Sequence, residues 1–225
     1  MCIRDRVTCE SWSNVTVNES MADYGEYLWN EHRYGKEYAD WKNRQASDKY
    51  MNESKRGKNV DLVRYHYDDR EEVFDTHTYE KGGRILHMLR NMIGDDAFFK
   101  SLQLYLTKYK FGNTEVSQLR KAFEDVTGRD LSIFFNQWYF GNGHPIINYD
   151  CSYTKDSVYI KVSQKHNTDT WLTYELPFAI DIHYGKTVET HKVVLKKKSQ
   201  TFAFKANGKP DLIDGDAERI LLCER

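Results

Sequence analysis

The hydrophobic pattern of this chain changes period once, near Gly143-His144-Pro145, and that change limits the folds open to it. Before it, apolar residues recur at spacings of three and four, as one face of a helix requires. After it, short runs alternate apolar and polar residues between turn signals, as half-buried strands require. The 225 residues leave room for one large domain or two smaller ones. The pattern predicts an α+β protein: a helical domain over 7–143, then a small β-sandwich over 144–225.

Within the helical part, a first helix is expected near Asn18, with Asn18 as its cap, running past Tyr27. A second covers Lys36 to about Ser54. Residues 59–74 read as a polar loop with an extended piece at Leu62–Tyr65. A third opens near His77; Ile85, Leu86, Met88, Leu89, Met92 and Ile93 give it one apolar face. Gly94-Asp95-Asp96 stops it and starts the next, which carries Phe98, Phe99, Leu102, Tyr105 and Leu106. Shorter helices follow at Glu115 to Val126, closed by Gly128, and at Leu131 to about Tyr139. The strand-like runs are Ser157–Val162, Phe178–His183, Val193–Leu195, Thr201–Phe204 and Arg219–Leu222, with turns at Gly185-Lys186, Asn207–Pro210 and Asp214-Gly215-Asp216. Six or seven strands at this spacing make a sandwich with no evident titratable cluster, suited to packing and spacing.

Composition narrows the function classes. A formal net charge of -1 calls for neither nucleic acid nor an anionic membrane. No apolar run approaches the ~20 residues that span a bilayer. Of the four cysteines, Cys2 falls within Met1–Arg6, and Cys9, Cys151 and Cys223 are far apart and show no CxxC pairing, so they imply neither a zinc cluster nor a disulfide framework. The eight histidines form no HxxxH or HxH pair. His77 reads as a cap or surface residue, and Trp12, Trp138 and Trp171 as core or domain-contact aromatics. Met1–Arg6 reads as a translated sequencing-adapter scar, which makes Val7 the first genuine residue.

Two blocks carry chemistry. In Val17-Asn18-Glu19-Ser20-Met21-Ala22 a carboxylate stands at the start of a helix. In Thr78-Tyr79-Glu80-Lys81-Gly82-Gly83-Arg84-Ile85-Leu86-His87-Met88-Leu89-Arg90 a tyrosine stands just inside another. Read alone, Glu19 is a first-turn carboxylate favoured by the helix dipole, and Tyr79 is one of 16 tyrosines available for packing. The two blocks together resemble the M1 family of zinc aminopeptidases, in which a Glu within a Leu-Asn-Glu-Gly-Phe-Ala run follows HExxH after eighteen residues. Gly94–Phe98, Phe123–Leu131, Phe135–Trp138 and Gly143–Pro145 match that family in order and approximate spacing.

The resemblance implies the helical half of a thermolysin-like metallopeptidase catalytic domain followed by a β-sandwich. It implies one Zn²⁺ with Glu19 as third ligand, a carboxylate being a suitable partner for two imidazoles. It implies Tyr79 as the phenol that stabilises negative charge on the attacked carbonyl oxygen. The substrate class it implies is peptides cleaved at their N-terminal bond. Glu26, seven residues after Glu19 and on the same helix face, is either a residue that orients a ligand from behind or a solvated or salt-bridged Glu.

The departures are Ser20 for the family's Gly, Met21 for its Phe, and the absence of HExxH and of the Gly-x-Met-Glu-Asn motif that binds the substrate amine. Counting back from Glu19, the second histidine falls one position before Met1. The expectation is therefore a fragment cut just after HExxH, inactive when isolated. The alternative is a non-catalytic M1-like scaffold. The compartment stays open, since a signal peptide would lie upstream of the expected cut, and so does the oligomeric state.

Overall fold

The computed structural model describes residues 6–168 and 173–225. Met1–Asp5, with Cys2 and most of the expected scar, and Trp171 lie outside the described residues. The chain forms two compact units, Met1–Gly143 and His144–Arg225.

The first unit is helical. After a two-residue strand β1 (Thr8–Cys9) come α1 (Thr16–Tyr34) and α2 (Lys36–Lys55). A π-helical turn, His77–Lys81, leads into α3 (Gly82–Ile93), and α4 is Asp95–Lys108. β2 (Asn113–Thr114) pairs in parallel with β1, followed by α5 (Val116–Thr127) and α6 (Ser132–Trp138). The boundaries have local causes. Gly35 and Gly94 sit at φ 89° and 87° between successive helices. A capping box of Glu115 and Gln118 opens α5, and left-handed Gly128 closes it.

Two expectations need correction. α1 starts at Thr16, so Asn18 is not its cap. Its buried amide instead accepts the Cys9 N–H at 2.7 Å and donates to the Val7 carbonyl at 2.9 Å, holding β1 against the helix. The Leu62–Tyr65 piece forms no strand; the Leu62 and Val63 N–H groups both donate to the Tyr139 carbonyl, at 3.1 and 3.0 Å. α3 has the expected apolar face, but that face is not the only one covered: Gly82 through Arg90 are all buried, polar residues included. A helix enclosed on every side must satisfy its polar groups internally. Arg90 does so with Asp95 and Glu31, at 2.9 and 2.7 Å. The core around α3 is rich in aromatics, with Trp138, Tyr50, Tyr105, Tyr139, Phe98 and Phe123 almost wholly buried.

The second unit is the β-sandwich. One sheet has the order β3-β4-β7 (Pro145–Tyr153, Ser157–His166, Ser199–Lys205); the other has the order β6-β5-β8 (Thr187–Leu195, Leu176–Tyr184, Leu212–Gly215). All neighbours within these sheets are antiparallel. Val158, Ile160 and Val162 alternate into the core from β4, and Leu176, Phe178, Ile180 and Ile182 from β5. The Arg219–Leu222 run is not a strand. The buried Asp216 carboxylate accepts the Ile220 and Leu221 N–H groups at 2.8 and 3.0 Å, so these donors are unavailable to a ladder. Asp214-Gly215, expected as a turn, instead lies in β8.

α1 and α3 approach closely at a glycine. A Cβ placed on Gly82 would lie 1.9 Å from Ser20 Oγ and 2.5 Å from Ser20 Cβ. Gly82→Ala should therefore force the helices apart and cost about 1–3 kcal/mol in urea denaturation. A variant as stable as the parent would show that the helices are not in contact there.

Candidate active site

Glu19 stands in the first turn of α1, which follows a 3₁₀ turn at Trp12–Asn14. The Asn18 brace sets β1 beside that turn. Between them is a cavity of about 370 Å³, walled by Cys9, Glu10, Trp12, Glu19, Tyr67 and Phe74 among others. Glu19 is 5% exposed and faces a lining that is largely apolar. Trp12 is 41% exposed and rests edge-on against Phe74, so it belongs to this wall rather than to the core. Trp138 is fully buried, as expected of a core residue.

Tyr79 is half-buried in the π-helical turn that opens α3, and it is not part of the cavity lining. The turn is held from three sides. Asp75 Oδ1 accepts the His77 and Thr78 N–H groups, both at 3.0 Å. Arg64 Nη2 donates to the same carboxylate at 2.8 Å. Ser20 Oγ donates to the Thr78 carbonyl at 2.7 Å. That last bond joins the residue after Glu19 to the residue before Tyr79, so the two candidate residues ride on directly bonded segments. Burial pushes the Asp75 carboxyl up, but hydrogen bonds from Arg64 and Lys58 outweigh it and bring it to about 2.

His77 is neither a cap nor a surface residue. It is fully buried, edge-on to Tyr50, with Nδ1 3.2 Å from Glu53. Burial and the nearby Lys81 lower its pKa to about 4, so the imidazole is neutral at pH 7. Lys81 is also fully buried, over the Tyr50 ring, and burial brings its ammonium down to about 7. The sequence reading missed Lys81, Asp75 and Arg64. Only Asp75 left a local signal, an Asp shortly before a helical run.

Glu26 is exposed and lines a different space, a groove of about 430 Å³ between α1 and α2. The solvated reading fits that exposure. Asp23 and Glu80 line the same groove. Burial, then repulsion by Glu80 and Glu26, pushes the Asp23 carboxyl up to about 7 against the pull of Lys49. Among the described residues, no three His, Cys, Asp or Glu side chains converge to hold a metal ion. No described helix is long and apolar enough to cross a membrane.

The Peptidase family M1 domain model matches residues 3–138. The chain belongs to peptidase family M1. An aminopeptidase N from Lactococcus lactis subsp. lactis is 31% identical over 156 residues, covering 63% of this chain and 17% of the relative. The alanine/arginine aminopeptidase of Saccharomyces cerevisiae is 24% identical over 230 residues, covering 96% of this chain and 26% of the relative. In fold, the chain is similar to Legionella pneumophila aminopeptidase A, solved in complex with aspartic acid. That match has a TM-score of 0.78 at 15% identity and covers 97% of this chain and 25% of the other. This M1 chain spans about a quarter or less of the relatives' length. M1 aminopeptidases are generally zinc-dependent.

The half-buried Asp23 carboxyl makes a pH-dependent contribution. Its folded pKa of about 7 lies above the ordinary 3.8, so the folded chain binds the proton more tightly and stability is lost as pH rises from about 4 through 7. Asp23→Asn should remove that loss. The variant should melt higher than the parent at pH 8 and converge with it near pH 4. A difference independent of pH would refute the assignment.

Proposed function

We propose that this chain is part of a zinc aminopeptidase that hydrolyses N-terminal peptide bonds, with Glu19 as third metal ligand and Tyr79 as the donor to the oxyanion. The observation that carries the reading is the Ser20–Thr78 hydrogen bond at 2.7 Å, which couples the Glu19 turn to the Tyr79 turn. A scaffold protein has no need to bring a buried carboxylate at a cavity and a half-exposed phenol onto bonded segments.

Glu19 suits a single metal ligand: a buried carboxylate, on a cavity wall, at the start of a helix. The two imidazoles are proposed to come from an HExxH in a longer parent protein. Zinc held there would supply a Lewis acid and lower the pKa of a bound water. The chain's own residues do the rest. Tyr79 donates its O–H to the carbonyl oxygen as negative charge grows on it. Asp75 and Arg64 fix the turn that aims the phenol, and rigid support of this kind limits the reorganisation the reaction needs. The apolar faces of Trp12 and Phe74 exclude water and so strengthen the electrostatic contacts.

The isolated 225-residue chain should bind no zinc tightly and release no amino acid from peptides; turnover abolished by a chelator would overturn this. In a longer protein that carries HExxH, Glu19→Gln should lose zinc, read by metal analysis. Tyr79→Phe should keep zinc yet lower kcat about 10²–10³-fold. Full activity in Tyr79→Phe would remove the phenol from the mechanism.

A further inference from the structure

The groove between α1 and α2 is not used by the zinc reading, and its chemistry is of another kind. Asp23 and Glu26 of α1 and Glu80 of the π-helical turn form one wall. Lys49 of α2 is engaged with Glu80 at 3.1 Å. Asp23 and Glu26 make no ion pair among the described residues, so two carboxylates face the groove without a bound cation. Lys42, also on α2, lies over the Trp41 ring at 5.3 Å.

The rim is aromatic. Trp29 is 61% exposed and Tyr34 60%, large faces to leave in water. Such faces attract cations and the methylenes that carry them. Tyr34 already draws the Arg33 guanidinium to 5.9 Å from its ring centre. In the floor, Asn43 is 8% exposed and its Nδ2 has no hydrogen-bond partner. A buried amide donor without an acceptor costs free energy until something supplies one.

These features call for a ligand that is cationic, has an apolar stem, and carries an acceptor. No described trio of side chains suits a metal ion there, and a bare metal would leave the aromatic rim and Asn43 unused. We infer that the groove binds a basic peptide segment, with an arginine or lysine side chain held between Asp23 and Glu26 against Trp29 and Tyr34, and Asn43 Nδ2 donating to a peptide carbonyl. This site is separate from the Glu19 cavity and does not depend on zinc.

The test uses the purified full chain and a fluorescent hexapeptide of Gly and Ser with one central Arg, acetylated and amidated so that it has no free terminus. Anisotropy titration should show saturable binding. Citrulline in place of Arg keeps shape and removes charge, and should bind about tenfold more weakly, as loss of an ionic and cation–π contact requires. Glu26→Gln, at an exposed position, should weaken binding about fivefold. Asp23→Asn should do the same at pH 8 while the chain stays folded by circular dichroism. Binding should be tighter at pH 8 than at pH 6, because the Asp23 carboxyl, pushed up to about 7 by burial and by Glu80 and Glu26, ionises across that range, with Lys42 and Lys49 the cations that line the groove opposite it. Equal affinity for the Arg and citrulline peptides, or binding indifferent to both carboxylate variants, would overturn the proposal. Asn43→Ala with unchanged affinity would remove the peptide carbonyl from it and leave only a site for small cations, which also overturns it.

Discussion

The seat of α3 against α1 at Gly82 is the contact on which the rest of the helical unit depends. With no Cβ at position 82, the Ser20 hydroxyl occupies the space and reaches both Thr16 Oγ1 at 2.6 Å and the Thr78 carbonyl at 2.7 Å. One glycine thereby sets the spacing of two helices, and one hydroxyl ties the start of one to the entry of the other. Glu19 and Tyr79 inherit their relation from this contact. A larger residue on either helix would shift the two turns by a fraction of a helix radius, enough to spoil a site built from both.

Around that seat the unit buries several titratable groups. Lys81 and His77 are fully enclosed, Arg84 and Arg90 nearly so, and Asp75 is gripped by Arg64 and Lys58. Buried charges give little net stability, but removing one partner is costly, because the other is left in a low-dielectric surrounding. Such a network resists alternative packings. The turn carrying Tyr79 is held by the Asp75–Arg64 pair on one side and by Ser20 on the other. The Asp23 groove shows the opposite condition. Asp23, Glu26 and Glu80 share the groove with Lys42 and Lys49, and the pull of Lys49 does not offset the burial and repulsion that raise the Asp23 carboxyl.

The sandwich is built on simpler rules. Its two three-stranded sheets bury alternating aliphatic residues, with a few polar groups among them. Gln164, 2% exposed, bonds the Tyr174 backbone and the Lys197 carbonyl. Asp216 closes the irregular segment after β8 and pairs with Arg225. The non-glycine residues Asp216 and Arg219 adopt left-handed backbone at φ 56° and 58°, a conformation made tolerable by the bonds Asp216 makes to the segment it turns.

The local signals in the sequence were enough for the helices from α2 onward, the stop at Gly128, and the alternation of β4 and β5. Periodicity, turn residues and caps act over a few positions and can be read there. Motif order was enough for the family, since the blocks from Glu19 to Pro145 stand in its sequence. Tertiary structure decided what depends on partners distant in the chain. Asn18 reached across to the backbone of Val7 and Cys9, and so a cap became a brace. His77 and Lys81 went into the core because Tyr50, Glu53 and Asp61, far away in sequence, surround them. The Asp23 groove exists only because α1 and α2 lie side by side. Sequence alone determined most of the helices and strands and the family they belong to. Burial, and with it the ionisation of Asp23, His77 and Lys81, was decided by packing, because the dielectric around a group is set by whatever folds over it.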